Sequence, residues 1–167
     1  MKNIKFSRLF AAFAFVAILA LAGCKQQPDE PKAIEGTWVN SYTDGKTYFK
    51  ITGSEFDNYG ESTTGTYKSY AGNNVTIVES SSSAGMIYFK FTRAADANWN
   101  YVTDPAQAPD IGKWYAVSYK ELNGKNVKIS GAWKNGGQSS CETLEAAKAE
   151  FTVANGYFAS YSDCVKQ

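Results

Sequence analysis

The hydrophobic and polar positions follow two different patterns along the chain. Residues 9–21 are apolar throughout, with neither a charge nor a proline. From residue 34 onward, apolar and polar positions instead alternate in short segments that are separated by turn residues. Alternation with a period of two is typical of β-strands that bury one face. The sequence therefore predicts an apolar leader followed, after a short tether, by one all-β domain over residues 34–167.

Turn signals divide this domain into strands. Asp44-Gly45 and Asn123-Gly124 each lie between two alternating segments, which is the strongest short-range signal of a β-hairpin. Gly53-Ser54 and Gly72-Asn73 predict further turns. Eight or nine sequential strands favour an antiparallel up-and-down β-barrel, which leaves no strand edge exposed. The strands are predicted at residues 36–43, 46–52, 55–59, 63–70, 74–80, 85–93, 112–122, 125–133 and 156–163.

One segment departs from the alternating pattern. Residues 141–151 are rich in helix-forming residues, and Ser139 or Ser140 can cap the first turn. Leu144 and Phe151 share one face of this helix and can pack on the barrel. We therefore predict a single helix before the last strand.

The leader has the features of an export signal. Lys2, Lys5 and Arg8 precede the apolar segment, and Leu21-Ala22-Gly23-Cys24 follows it at once. The apolar segment is too short to span a bilayer comfortably, since a spanning helix needs about 20 apolar residues. An ordinary signal peptide with a chance cysteine is one interpretation of this pattern.

The other interpretation is lipidation, because Leu21-Ala22-Gly23-Cys24 resembles the bacterial lipobox. The resemblance implies a signal peptide of residues 1–23, acylation of Cys24 and a permanent membrane anchor, since two or more acyl chains hold a protein firmly. Residues 24–33 contain two of the four prolines and predict a flexible tether. By resemblance to Gram-negative sorting, Lys25 after the cysteine suggests the outer membrane of the cell envelope.

Composition and charge narrow the function. Three of the 17 basic residues lie in the leader, so 16 acidic residues outnumber the 14 that remain, and nucleic-acid binding is not expected. The chain has no histidine, which removes the commonest general base and metal ligand. It also lacks a Gly-x-Ser-x-Gly elbow, a nucleotide loop and any recognisable pair of carboxylates. We therefore predict a protein that is not an enzyme and that has no cofactor and no metal site.

Cys141 and Cys164 remain once Cys24 is lipidated. Two cysteines in an exported domain predict a disulfide, here between the start of the helix and the end of the last strand. Closing that loop would stabilise the domain by about 3 kcal/mol on the chain-entropy model. The alternative is a pair of free or metal-binding thiols.

Gly36-Thr37-Trp38 resembles the Gly-x-Trp motif that opens the first strand of lipocalins, in which the Trp plugs the closed end of the barrel. Together with the lipobox, the hairpins and residues 144–152 and 155–158, the whole arrangement is similar to lipocalin-like lipoproteins of spirochaetes. The resemblance implies a barrel that Trp38 closes at one end. Lipocalins also place an arginine near the last strand against this Trp, and this chain has none there.

The strand at residues 85–93 carries the first candidate ligand-binding residues. Alternation places Phe89, Phe91 and Arg93 on one face, which we predict to be the barrel interior. Arg93 would then lie at the barrel mouth, where its guanidinium could bind a ligand carboxylate or phosphate. Alternatively, Arg93 extends to water or pairs with a structural carboxylate such as Asp96.

The connection that follows, residues 94–110, is long for a simple meander. Long loops in compact domains are often lids or binding loops. Trp99 and Tyr101 could therefore fold over the open barrel end and contact a ligand. Equally, the same two side chains could pack over one end of the core.

Two functions fit these features. The first is a membrane-anchored lipoprotein whose barrel binds a small apolar or amphipathic ligand. The second is an interaction protein with a filled barrel, which contacts an envelope partner or a host molecule. An eight-stranded barrel is just wide enough for either, and a cavity of about 300 Å³ or more would favour the first. In both cases we expect a monomer.

Overall fold

The computed structural model describes residues 32–167, so the predicted signal peptide, the lipidation site Cys24 and most of the tether lie outside the described residues. Within the described range there are nine strands and one short helix. They are β1 (Gly36–Tyr42), β2 (Gly45–Ile51), β3 (Glu55–Ser62), β4 (Gly65–Ser81), β5 (Ala84–Ala95), β6 (Tyr101–Val102), β7 (Trp114–Lys120), β8 (Asn126–Gly131), α1 (Leu144–Glu150) and β9 (Ser162–Lys166).

Eight of the strands close into an antiparallel barrel. Their order is β4-β3-β2-β1-β9-β8-β7-β5, and pairing between β4 and β5 closes the ring. Strand β6 pairs only with the last two residues of β5. The structure therefore confirms the predicted all-β, up-and-down barrel with one helix before the last strand. Among residues 32–167, no helix is long and apolar enough to cross a membrane.

The two ends of the barrel differ. The chain enters at one end, where Trp38 is fully buried, and we call this the Trp38 end. Hairpins β2–β3, β4–β5 and β7–β8 also turn at the Trp38 end. The opposite end, the mouth, carries hairpins β1–β2 and β3–β4 and both long connections, residues 96–113 and 132–161. Both long connections are thus gathered at the mouth.

Side chains fill the barrel from the Trp38 end towards the mouth. The Trp38 indole donates to the Ile34 carbonyl at 2.7 Å, and the ammonium of Lys166 on the last strand lies 5.2 Å from its ring centre. Farther along, the rings of Phe56 and Phe89 stack at 4.5 Å. Burying each such side chain contributes about 1.5–3 kcal/mol. The barrel interior is therefore a packed core.

The predicted turn at Gly72-Asn73 is wrong, because β4 runs without interruption through this position. The first part of β4 pairs with β3 and the last part with β5, and the register shifts between Asn73 and Thr76. Gly72 is needed for a different reason. A Cβ atom there would lie 2.2 Å from the Phe89 ring, so only glycine allows this close approach.

The helix is shorter than predicted and has a different cap. Thr143 is the N-cap, and its hydroxyl accepts a hydrogen bond of 3.1 Å from the amide of Ala146. Ala147 and Phe151 pack against the outside of the barrel, in a second apolar cluster with Tyr88 and Tyr157. The last strand also starts later than predicted, at residue 162, because residues 157 and 158 pack in or beside this cluster instead.

The structure contradicts the predicted disulfide, since Cys141 and Cys164 are both free thiols. Cys141 pairs with Trp114 at the first residue of β7. Cys164 pairs with Val127, which lies just beyond the last pair between β7 and β8. The two cysteines thus flank opposite ends of β7, about 20 Å apart at 3.3 Å per residue. A disulfide requires Cα atoms within about 7 Å.

Candidate functional site

A cleft of about 480 Å³ opens at the mouth, between the two long connections. Barrel side chains form its floor. Trp99 and Tyr101, from the connection 96–113, form one wall. Residues 132–139, from the other connection, form the opposite wall and include Trp133. Two segments more than 30 residues apart in sequence therefore build one concave surface.

The floor is a tight group of aromatic rings. The Tyr115 ring centre lies 4.7 Å from that of Phe91 and 5.5 Å from that of Tyr70. Burial raises the pKa of both tyrosines, so their hydroxyls stay protonated and neutral at physiological pH. The Tyr115 hydroxyl donates to the Ala132 carbonyl at 3.0 Å, which fixes the floor to the second wall. The floor is thus closely packed, aromatic and uncharged.

Trp99 stands on a short loop that Asp96 organises. One carboxylate oxygen of Asp96 accepts hydrogen bonds from the backbone amides of Asn98 and Asn100, each at 2.8 Å. These hydrogen bonds lower the pKa of the Asp96 carboxyl, and the bond from the Asn100 backbone amide makes the largest contribution. Trp99 has φ of 65° and is 77% exposed. Backbone strain of this kind costs on the order of 1 kcal/mol and is concentrated at functional positions.

The second wall is fixed to the helix through Tyr157. The Tyr157 hydroxyl accepts a hydrogen bond of 2.7 Å from the backbone amide of Gln138 and donates one to the Glu150 carboxylate. The Lys134 ammonium lies 4.2 Å from the Tyr157 ring centre and 3.7 Å from the Glu150 carboxylate. Trp133, which is 68% exposed, therefore projects from a supported wall rather than from a loose loop.

Asp110 joins the two walls. One of its carboxylate oxygens accepts the Ser140 hydroxyl at 2.6 Å and the Ser139 hydroxyl at 3.0 Å. Close by, Lys113 pairs with Glu142 at 2.9 Å. These contacts cross from one long connection to the other, so they set the width of the cleft. Ser139 and Ser140, predicted as helix caps, serve this purpose instead.

A wider depression of about 740 Å³ lies behind Asp110, against α1. Its charged groups already have partners within the protein, because Asp110 accepts two serine hydroxyls and Lys113 pairs with Glu142. It offers neither exposed aromatic rings nor an apolar floor. The aromatic cleft is therefore the stronger candidate site.

The structure brings three of the predicted ligand-binding residues together. Phe91, Trp99 and Tyr101 all line the cleft. Phe89 lies one layer deeper, with its ring centre 5.8 Å from that of Phe91, and belongs to the packed core. Phe89 can therefore support the floor but does not line the cleft.

Arg93 lies apart from these residues, and its predicted inward orientation is wrong. The register between β4 and β5 skips one residue of β5 between Phe91 and Arg93, so that Ala94 returns to the core instead. The Arg93 guanidinium lies 2.5 Å from the carboxylate of Asp57 and also donates to the Ser69 carbonyl. Its partner is a structural carboxylate, as one interpretation of the sequence proposed, but Asp57 rather than Asp96.

The cleft also contains four residues that the sequence did not predict as site residues, namely Tyr70, Asp110, Trp133 and Gln138. Trp133 directly precedes a segment rich in glycine and asparagine, and this position at a strand end was a usable signal. The other residues had no signal of their own. Their proximity follows from the barrel register, which joins two distant connections.

The described residues contain no group of three or more acidic or cysteine side chains arranged to hold a metal ion. Comparison with known proteins found no matching family model, no similar curated protein and no similar solved structure. The resemblance to lipocalins and to spirochaete lipoproteins therefore stays a prediction.

Proposed function

We propose that this protein is a lipid-anchored envelope protein that binds one small amphipathic ligand at the barrel mouth. The observation that carries the proposal is the pair of exposed indoles, Trp99 and Trp133, on opposite walls of one aromatic cleft. A volume of about 480 Å³ falls in the range of small-molecule sites, and convergent polar groups on an apolar lining are typical of them.

The packing of the barrel supports a site at the mouth rather than in the interior. Phe56, Phe89 and Tyr70 stack within the barrel with ring centres 4.5 to 6.3 Å apart. A ligand could enter this space only by displacing fully buried rings, at a cost of several kcal/mol. The interior therefore acts as a rigid support for the floor of the cleft.

The position of the chain entry supports the proposed anchor. Residue 34 enters at the Trp38 end, and Cys24 precedes it by ten residues. A tether of this length reaches at most about 35 Å. A lipid on Cys24 would therefore hold the Trp38 end towards the membrane and present the cleft away from it.

Native mass spectrometry of the full-length protein, purified from cells that process its leader, tests the binding proposal. The wild-type protein is expected to carry a reproducible additional mass, and Trp133→Ala is expected to lose it. Val153→Ala is the matched control, because Val153 is an exposed apolar residue outside the cleft. If Trp133→Ala carries the same additional mass as the wild-type protein, the ligand binds elsewhere and the proposal is overturned.

The anchor is tested separately. Wild-type protein is expected in the membrane fraction and Cys24→Ser in the soluble fraction. Membrane association of Cys24→Ser at the wild-type level would show that the anchor is not a lipid on this cysteine.

The filled core favours a second candidate, an interaction protein that contacts a macromolecular partner. In that case the partner would cover Trp99 and Trp133, and the isolated full-length protein would carry no small molecule in the mass measurement. The native mass spectrum therefore distinguishes the two functions, because only the first predicts a bound small molecule.

A further inference from the structure

We infer that the ligand of the mouth cleft is an uncharged saccharide that stacks on the Trp99 and Trp133 indoles. This inference rests on the proposed function, since it names the ligand class of the same cleft. Three properties of the cleft carry it: the one lysine that lines it is already paired, its floor is closed, and its rim combines exposed aromatic side chains with exposed side-chain amides.

The charged groups at the cleft have partners within the protein. The oxygen of Asp110 that faces the second wall already accepts two serine hydroxyls. The Lys134 ammonium donates to the Asn155 carbonyl at 3.2 Å and lies 3.7 Å from Glu150. Arg93 is paired with Asp57 and does not line the cleft. Lys134 is the only cationic residue that lines the cleft among residues 32–167, so an anionic ligand would lose hydration without gaining a free cation, and an uncharged ligand is favoured over it.

The closed floor excludes a long acyl chain. Rings at 4.7 and 5.5 Å around Tyr115 leave no passage into the barrel. Phe91, which forms part of this floor, is only 7% exposed. The ligand must therefore lie across the cleft rather than insert into it.

The rim offers two kinds of surface that complement a sugar ring: aromatic faces for its C–H groups and side-chain amides for its hydroxyl groups. Trp99 is 77% and Trp133 is 68% exposed, so both indoles present ring surface to a ligand. The electron-rich face of an aromatic ring attracts the C–H groups on the apolar face of a sugar. The side-chain amides of Asn135 and Gln138 are exposed and make no hydrogen bond within residues 32–167. The bond from Gln138 to Tyr157 uses the backbone amide. Each amide supplies both donors and an acceptor for hydroxyl groups at the ring edge.

The test uses a printed array of neutral and acidic glycans, probed with labelled full-length protein. We expect retention on neutral glycans that share a common sugar ring. Trp99→Ala and Trp133→Ala should each weaken the apparent affinity at least tenfold, and Gln138→Ala should weaken it several-fold. Trp133→Phe keeps an aromatic face and should retain part of the affinity, while Val153→Ala should leave it unchanged.

Three outcomes overturn the inference and remain distinguishable. If no neutral glycan is retained but the native spectrum shows another bound molecule that Trp133→Ala loses, the saccharide inference fails and the proposed function stands. If neither experiment detects a ligand, both fail. Retention only on sialylated or sulfated glycans also overturns the inference, because the cleft would then have to bind a charge.

Discussion

The carboxylate of Asp110 accepts the hydroxyl of Ser140 at 2.6 Å, across 30 residues of sequence. This hydrogen bond joins the connection that carries Trp99 to the connection that carries Trp133. Preorganised walls bind a ligand more tightly because less conformational freedom is lost on binding. Asp110 is therefore a positioning residue for the cleft.

Asp110→Ala removes the acceptor of two serine hydroxyls and should widen the cleft. We expect a loss of about 1 to 2 kcal/mol in the free energy of unfolding. Amide hydrogen exchange should accelerate in residues 96–113 and 132–139 and stay unchanged in β1 and β2. Asp163→Ala is the control, since the one ion-pair partner of that exposed carboxylate among residues 32–167 is Lys128, at 4.0 Å. Equal exchange in Asp110→Ala and wild type would contradict the role of Asp110.

Arg93→Ala should destabilise the barrel without affecting the cleft. The variant loses the contact with Asp57 and the hydrogen bond to Ser69, and we expect a loss of about 1 to 2 kcal/mol from urea unfolding. A double-mutant cycle with Asp57→Ala isolates the ion pair. Loss of the bound mass in the native spectrum of folded Arg93→Ala would instead make Arg93 a ligand contact.

The backbone of Trp99 provides a test that separates the effect on stability from the effect on binding. At φ of 65° a glycine is unstrained, whereas alanine retains the unfavourable Cβ. Trp99→Gly should therefore be more stable than Trp99→Ala by about 1 kcal/mol in thermal unfolding, while both variants lose the ligand. A pair of Asn98 variants serves as the control, because Asn98 has no positive φ. If Trp99→Gly is the less stable of the two, the loop is not strained at this position.

The thiols of Cys141 and Cys164 should differ in reactivity. Burial raises the pKa of Cys164 to about 12 and also raises that of the half-buried Cys141. Peptide mapping after iodoacetamide treatment of the native protein should therefore find Cys141 labelled before Cys164. After denaturation without reductant, both should be labelled completely. A peptide that joins the two cysteines would show that the disulfide forms after all.

Order in the Trp99 loop should depend on pH through Asp96. Its pKa in the folded protein is lowered below the ordinary value of 3.8, so its contribution is present above pH 3.8. The contribution is lost as the pH falls through the lower, folded pKa. We therefore expect the protection of residues 98–100 from hydrogen exchange, relative to the intrinsic rate at each pH, to fall at low pH before the barrel unfolds. Asp96→Ala should show little protection at every pH, and equal protection profiles for variant and wild type would contradict this role.

Much of the fold follows from local signals. Asp44-Gly45 lies at a hairpin because the turn residues and the alternation on both sides agree. Phe91 and Trp99 could be predicted as site residues because an aromatic strand runs into a long loop. In each case neighbouring residues carry the information.

The errors arise where one residue changes a register or where distance depends on the whole barrel. One skipped residue of β5 places Arg93 on the outer face, and alternation alone does not reveal such a bulge. Gly72 has the signature of a turn but serves a ring contact. Spacing along the chain likewise does not show that Cys141 and Cys164 lie at opposite ends of β7.

The most direct test of the cleft is a fragment screen by NMR on the full-length protein. The screen monitors the indole N–H signals of the four tryptophans. We predict that small amphipathic fragments shift the signals of Trp99 and Trp133 and leave that of the buried Trp38 in place. Fragments that shift Trp38 first, or none that shift both Trp99 and Trp133, would contradict a ligand site at the barrel mouth.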